Sequence, residues 1–312
     1  MKKFVSAAVA ASAIFVFGTV SQAADTLHVK KLAAAPTVDG VAEDVWKGIP
    51  ALTVKVDRVP EAIVQINKEK QKGKYAKHWS STDYTTVSEV ELKAAYTGDS
   101  IFFLARWKDA TKDDQHKPWK WEGTKDAGEY KAGKEAEDRL AMHFPIKGDF
   151  VTCMVDPADS TSDVWQWKAA RTNGAGIIHD KTDVYSKSEP KGAFSTHYAV
   201  DGTTVYLLRP DDGGVAPYKT NKIDPFVYQG DVVPQYVPFV PDNPDAADVK
   251  AKGVWADGYW TLEIGRKLDT GHPDTDTVFD VAKGFEMALA AFDHASDHFH
   301  AGSGLIKAVF DK

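Results

Sequence analysis

What most constrains this chain is a two-residue alternation of apolar and polar side chains that returns along its length. Leu52-Thr53-Val54-Lys55-Val56-Asp57-Arg58-Val59 has the pattern of a half-buried strand. Glu89-Val90-Glu91-Leu92-Lys93-Ala94-Ala95-Tyr96 repeats it and passes through Thr97-Gly98-Asp99-Ser100 into an apolar run at 101–107, a tight-hairpin signal. Further strands are expected at 140–144, 150–155, 164–169, 203–208, 259–264, 285–292 and 305–310. No long helical period competes, so the expected fold class is all-β, a single antiparallel β-sandwich. Two segments interrupt it: 109–138, rich in Lys, Gly and Trp, and 217–250, rich in Pro and Asp. They read as long irregular loop insertions, of the kind that form lids or ligand walls.

The first 23 residues read differently. Lys2 and Lys3 precede an apolar stretch from residue 4 to residue 20, and Ser21-Gln22-Ala23-Ala24 has the small residues of a cleavage site. This is the pattern of a secretory signal peptide, which leaves residues 24–312 as the mature sandwich domain, soluble and periplasmic in a Gram-negative cell. No other segment approaches the length of a membrane span. The 312-residue chain carries a net charge of −7, and losing the signal takes two lysines and no acids, giving −9. That balance argues against a nucleic-acid partner. The lone cysteine, Cys153, excludes an intramolecular disulfide framework and a thioether-attached c-type haem, which needs two thiols.

The usual nucleotide and hydrolase signatures are absent, which points away from an enzyme. The densest group of ligand-type residues is Asp293-His294-Ala295-Ser296-Asp297-His298-Phe299-His300, suited to a transition metal or a haem iron, or else a solvated polar loop. In Asp138-Arg139-Leu140-Ala141-Met142-His143-Phe144-Pro145, alternation puts Met142 with Leu140 and Phe144 on the core side. The thioether there is either packing or a neutral axial ligand facing a cavity. Trp165 and Trp167 share one face of the next strand and Gln166 and Lys168 the other, so the tryptophans are a cofactor wall, a sugar-stacking platform or cross-strand core.

Taken in order, these segments resemble a known family. Pro36-Thr37-Val38-Asp39-Gly40 with Trp46 opens in the manner of immunoglobulin-like sandwiches shared by carbohydrate-binding modules and by haem-binding subunits of molybdenum enzymes. The later run favours the second group: Phe102-Phe103-Leu104-Ala105-Arg106-Trp107, the Asp138-Arg139 segment, Trp165 to Arg171, Trp260-Thr261-Leu262-Glu263-Ile264-Gly265-Arg266 and Met287 to Asp293. The chain resembles the γ subunits of ethylbenzene dehydrogenase and dimethyl sulfide dehydrogenase. The resemblance implies one non-covalent haem b and electron transfer between molybdenum/iron–sulfur oxidoreductase subunits and periplasmic or membrane cytochromes. It also implies a methionine ligand at Met142 and a lysine ligand near the C-terminus. Where that lysine is expected, this chain has Asp297-His298-Phe299-His300. The expected pair is therefore Met142 with His300, His298 being the near-equal substitute and Lys307 and Lys168 the weaker ones. Arg139, Lys168 and Arg171 are the expected propionate partners.

Two other readings accompany this one. A carbohydrate-binding module would stack sugars on Trp119, Trp121, Trp165 and Trp167. A haem-free periplasmic metal-binding protein would use His294, His298 and His300.

Overall fold

The structure is a computed structural model that describes residues 26–56, 87–152, 158–193, 195–198, 204–295 and 300–312. The signal segment, the end of the strand expected at 52–59, Cys153 and His298 lie outside the described residues. In chain order the strands are β1 (Thr26–Lys31), β2 (Leu52–Lys55), β3 (Glu89–Tyr96), β4 (Ser100–Lys108), β5 (Trp119–Thr124), β6 (Ala127–Ala132), β7 (Arg139–Gly148), β8 (Ser160–Lys168), β9 (His179–Ser186), β10 (Ser195–Tyr198), β11 (Thr204–Leu208), β12 (Tyr218–Thr220), β13 (Val232–Val233), β14 (Tyr236–Pro238), β15 (Lys250–Ala256), β16 (Tyr259–Lys267), β17 (Phe285–Phe292), β18 (Ala301–Gly302) and β19 (Ile306–Phe310).

The all-β sandwich expected from the alternation is present. Its two layers are joined into one folded-over sheet with the order β10-β11-β9-β8-β7-β17-β19-β1-β3-β4-β16-β15. The joint is β17: Phe285–Met287 pair with β19 in one layer, and Ala288–Phe292 pair with β7 in the other. Such a strand turns the corner of a sandwich. One pairing departs from the antiparallel expectation. β1 runs parallel to both of its neighbours, β19 and β3, because the first strand of the sandwich inserts between the last strand and β3.

Between the layers lies one contiguous core. Its centre is aromatic, with the Trp107, Trp167 and Trp260 rings 4.9–6.3 Å apart and Phe103, Phe144, Trp165, Phe279 and Phe285 packed beside them. Gly253 permits the closest approach there, since a Cβ at that position would sit 2.4 Å from Trp167 Cζ2.

The two insertions are not irregular. β5 and β6 form a hairpin that takes β13 from the second insertion as a third strand, and β12 pairs with β14. Trp121 packs edge-on against Tyr130 and Tyr228, supplying this small layer with its own aromatic contacts. No strand forms at Phe150–Thr152, the described part of the expected 150–155 strand. β1, β9 and β15 were not expected from the sequence.

Candidate functional site

The β7–β8–β9 layer carries different chemistry on its two faces. Along one rung, Leu289, Met142, Trp165 and Asp180 are neighbours in register, and along the next stand Ala288, His143, Val164 and Lys181. Because side chains alternate across a strand, consecutive rungs face opposite ways. Met142 and Trp165 go into the sandwich core. His143, Val164 and Lys181 face outward, into a cavity of about 330 Å³.

The lining of this cavity is unusual for an acidic protein. Arg139, Lys168, Arg171, Lys181 and Arg209 all reach it, against the single carboxylate of Asp183 among the described residues. Three imidazoles, from His143, His179 and His300, share the lining. Its apolar part is made mostly of small residues, Ala141, Val164, Ala288 and Ala290, with Phe292. Tyr218 on β12 also lines it, so the second insertion contributes to the cavity wall.

Buried acids on neighbouring positions hold these cations in place. Glu137, with no exposed surface, accepts hydrogen bonds from the Ala170 and Arg171 backbone amides at 2.6 and 2.9 Å and from Arg171 Nε. That closes the turn after β8 and aims Arg171. Asp138 accepts from Asp113 N at 2.8 Å, Trp260 Nε1 at 2.9 Å and His294 N at 3.0 Å, tying β7 to β16 and to the chain after β17. Burial nevertheless pushes Asp138 up to about 7. Arg139 donates to Ala295 O at 2.7 Å, and its guanidinium lies 4.1 Å from the Phe292 ring centroid. Arg209 pairs with Asp183 at 3.0 Å.

A polar chain leads from the cavity toward the surface. Lys168 Nζ contacts His179 Nδ1, and His179 Nε2 lies 2.6 Å from Asp211 Oδ1. Burial, reinforced by Arg171 and Lys181, holds the Lys168 amine well below the usual lysine range. Burial and the neighbouring Lys168 hold His179 at about 3, so its imidazole is neutral. The arrangement requires His179 to accept from Lys168 on one nitrogen and to donate to Asp211 through the other. His143 is half-buried, and burial lowers its imidazole to about 4. Its Nε2 has no hydrogen-bond partner among the described residues. A neutral imidazole that lines a cavity and keeps one nitrogen without a hydrogen-bond partner is suited to a metal.

The structure brings some of the expected site residues together and separates others. Lys168, Arg171 and His300 line the cavity, as does Arg139. Met142 does not: it is fully buried on the core face, between Leu289 and Trp165 in register. Lys307 is exposed on β19. His294 is a surface side chain bonded to Asp293 and is not part of the cavity, so it does not combine with His300 in one site. Trp165 and Trp167 are fully buried in the core, which removes them as sugar-stacking surfaces. Sequence reasoning missed His143, His179, Lys181 and Arg209. His143 was legible in principle, as the alternation partner of Arg139 and Ala141 on β7.

A family model described as ethylbenzene dehydrogenase matches residues 43–302. No curated protein matches the chain. Among solved structures, a family 9 carbohydrate-binding module from Caldicellulosiruptor kristjanssonii in complex with glucose aligns at 8% identity and a TM-score of 0.37, covering 92% of this chain and 97% of that one. The same module in complex with cellotriose aligns at 8% identity and a TM-score of 0.36, covering 92% and 95%. With its model spanning most of the sandwich, from the 3-10 turn at Asp44–Gly48 to β18, the chain belongs to the ethylbenzene dehydrogenase family.

Proposed function

We propose that this chain is a periplasmic electron-transfer protein that holds one non-covalent b-type haem in the cavity on the outer face of β7–β8–β9. In this reading it works as a non-catalytic subunit beside molybdenum/iron–sulfur oxidoreductase subunits and exchanges electrons with a cytochrome or a quinone-linked acceptor. The observation that carries the proposal is the joint lining: imidazoles and five basic side chains over an apolar wall of small residues. A porphyrin has that complement, an apolar disc with two carboxylates and a metal that takes neutral nitrogen ligands. The cavity volume lies within the range of small-molecule and cofactor sites.

The residues present fit the group, with one change from the sequence expectation. His143, rather than Met142, is the ligand candidate on β7, because its side chain lines the cavity while the Met142 thioether is on the core side. His300 lines the same cavity and is the second candidate. Arg139, Lys168, Arg171 and Lys181 supply positive charge for the propionates. When bound, the haem supplies reversible one-electron chemistry. The protein's own residues bind the carboxylates, exclude water through the apolar wall, and set the charge around the site. The Lys168–His179–Asp211 chain lets a proton be held at Lys168 or passed outward as the charge inside the cavity changes.

A visible spectrum tests this reading. Protein purified from haem-replete cells is expected to show a Soret band and sharp α and β bands on reduction. A colourless, haem-free product refutes it.

A further inference from the structure

On the core side of β8 and β9, away from the cavity, three aspartates from separate segments converge. One carboxylate oxygen from each of Asp163, Asp180 and Asp276 lies within 4.8 Å of the other two. The residues are 0%, 3% and 2% exposed. One oxygen of each is already engaged. Asp163 Oδ2 accepts from Arg266 Nη1 at 2.8 Å and from Thr277 N at 3.0 Å, Asp180 Oδ1 from Lys181 N at 3.0 Å, and Asp276 Oδ2 from Thr270 Oγ1. The other three oxygens, Asp163 Oδ1, Asp180 Oδ2 and Asp276 Oδ1, are buried with no hydrogen-bond partner among the described residues. Asp212, also 2% exposed, adds a fourth: its Oδ1 accepts from Thr182 Oγ1 at 3.0 Å and its Oδ2 has no hydrogen-bond partner among them.

Arg266 is the cation set against this cluster. Its guanidinium lies 4.7 Å from the Trp165 ring and 5.2 Å from the Phe279 ring, donates to Thr277 O and pairs with Asp163, and its Nη1 is 3.5 Å from Asp276 Oδ1. One guanidinium leaves an excess of buried negative charge, and each uncompensated buried ion costs several kcal/mol.

We propose that Asp163, Asp180 and Asp276, with Asp212 beside them, form a structural calcium site. Calcium accepts several carboxylate oxygens in flexible geometry, whereas magnesium is generally held by one or two carboxylates and keeps most of its water. The ion would pin β8 and β9 to the 268–284 connection between β16 and β17. It is independent of the haem reading, because it sits on the opposite face of the layer.

The test uses the full-length protein stripped with EDTA and titrated calorimetrically with calcium chloride. One calcium per chain is expected, with a rise in Tm of roughly 4 °C at a hundredfold excess over Kd, from the mass-action relation and the melting entropy of a chain this long. Terbium should displace the calcium and give tryptophan-sensitised emission, since Trp165 is the register partner of Asp180. Asp180→Asn and Asp276→Asn should lose both signals while keeping the far-ultraviolet circular dichroism of the parent. No calcium heat and no Tm change in stripped wild type, preference for magnesium, or unchanged binding in folded variants each overturn the proposal. If the variants do not fold, the wild-type calorimetry and terbium titration decide it.

Discussion

Replacing Met142 separates a core role from a ligand role, because packing is a property of the core face of β7 and haem ligation of the opposite, cavity face. The side chain is fully buried between Leu289 and Trp165. Met142→Leu roughly conserves volume and should cost less than about 1.5 kcal/mol. Met142→Ala deletes three heavy atoms from a packed site and should cost about 2–5 kcal/mol. A 312-residue chain has a melting entropy of roughly 0.65 kcal/mol/K, so these costs correspond to a fall in Tm of at most about 2 °C for Leu and about 3–8 °C for Ala. Calorimetric melts paired with reduced-minus-oxidised spectra at 20 °C, where both variants remain folded, make the comparison. The Soret and reduced α bands should match wild type in both variants. Full Tm retention in Met142→Leu together with a shifted α band or lost haem would place the sulfur at the iron, and the assignment of faces along β7 would be wrong.

Other outcomes follow from the same geometry. His143→Ala and His300→Ala should each change the α band or lower haem content in a pyridine haemochrome assay, and unchanged spectra in both refute the ligand pair. Asp109 is raised to about 6, chiefly by burial and then by Asp293, with Oδ1 accepting from Thr111 N and Oδ2 unpartnered among the described residues. A carboxyl that holds its proton more tightly when folded contributes stability that is full below the unfolded value of 3.8 and is lost as pH rises through about 6. Asp109→Asn should therefore gain on wild type as pH rises from 4 to 7 in melts across that range; a constant difference between the two contradicts the assignment. Gly253→Ala should destabilise by about 1–3 kcal/mol through overpacking against Trp167, read as a drop in denaturation midpoint.

How much was legible in the sequence varies by element. β3 and β17 stand at the limits that alternation indicates, Glu89–Tyr96 and Phe285–Phe292, because each alternates apolar residues with polar or small ones. β9 escaped notice because His179-Asp180-Lys181-Thr182-Asp183 is polar on both faces. One face supplies His179, Lys181 and Asp183 to the cavity and the other supplies Asp180 to the acidic cluster, so functional demands erased the pattern that marks a strand. The β5–β6 hairpin was hidden for a different reason: it packs in a small layer of its own with few fully buried side chains.

The sequence by itself determined the sandwich and the opposite facings of Trp165 and Lys168. These are local consequences of a two-residue period, and a period can be read from one strand alone. Only the tertiary structure decided which face of β7 borders a cavity. Alternation says that Met142 and His143 point oppositely but not which side another layer covers, and that depends on where β17 turns the corner and where the insertions fold back. It also joined His179 and Lys181 of β9 and Arg209 after β11 to Arg139 of β7 and Lys168 of β8 in a basic cavity within an acidic protein, and set Asp163, Asp180 and Asp276 together around one arginine. Net charge is a sum over the chain, whereas the field at a site depends on the few groups within a Debye length of it.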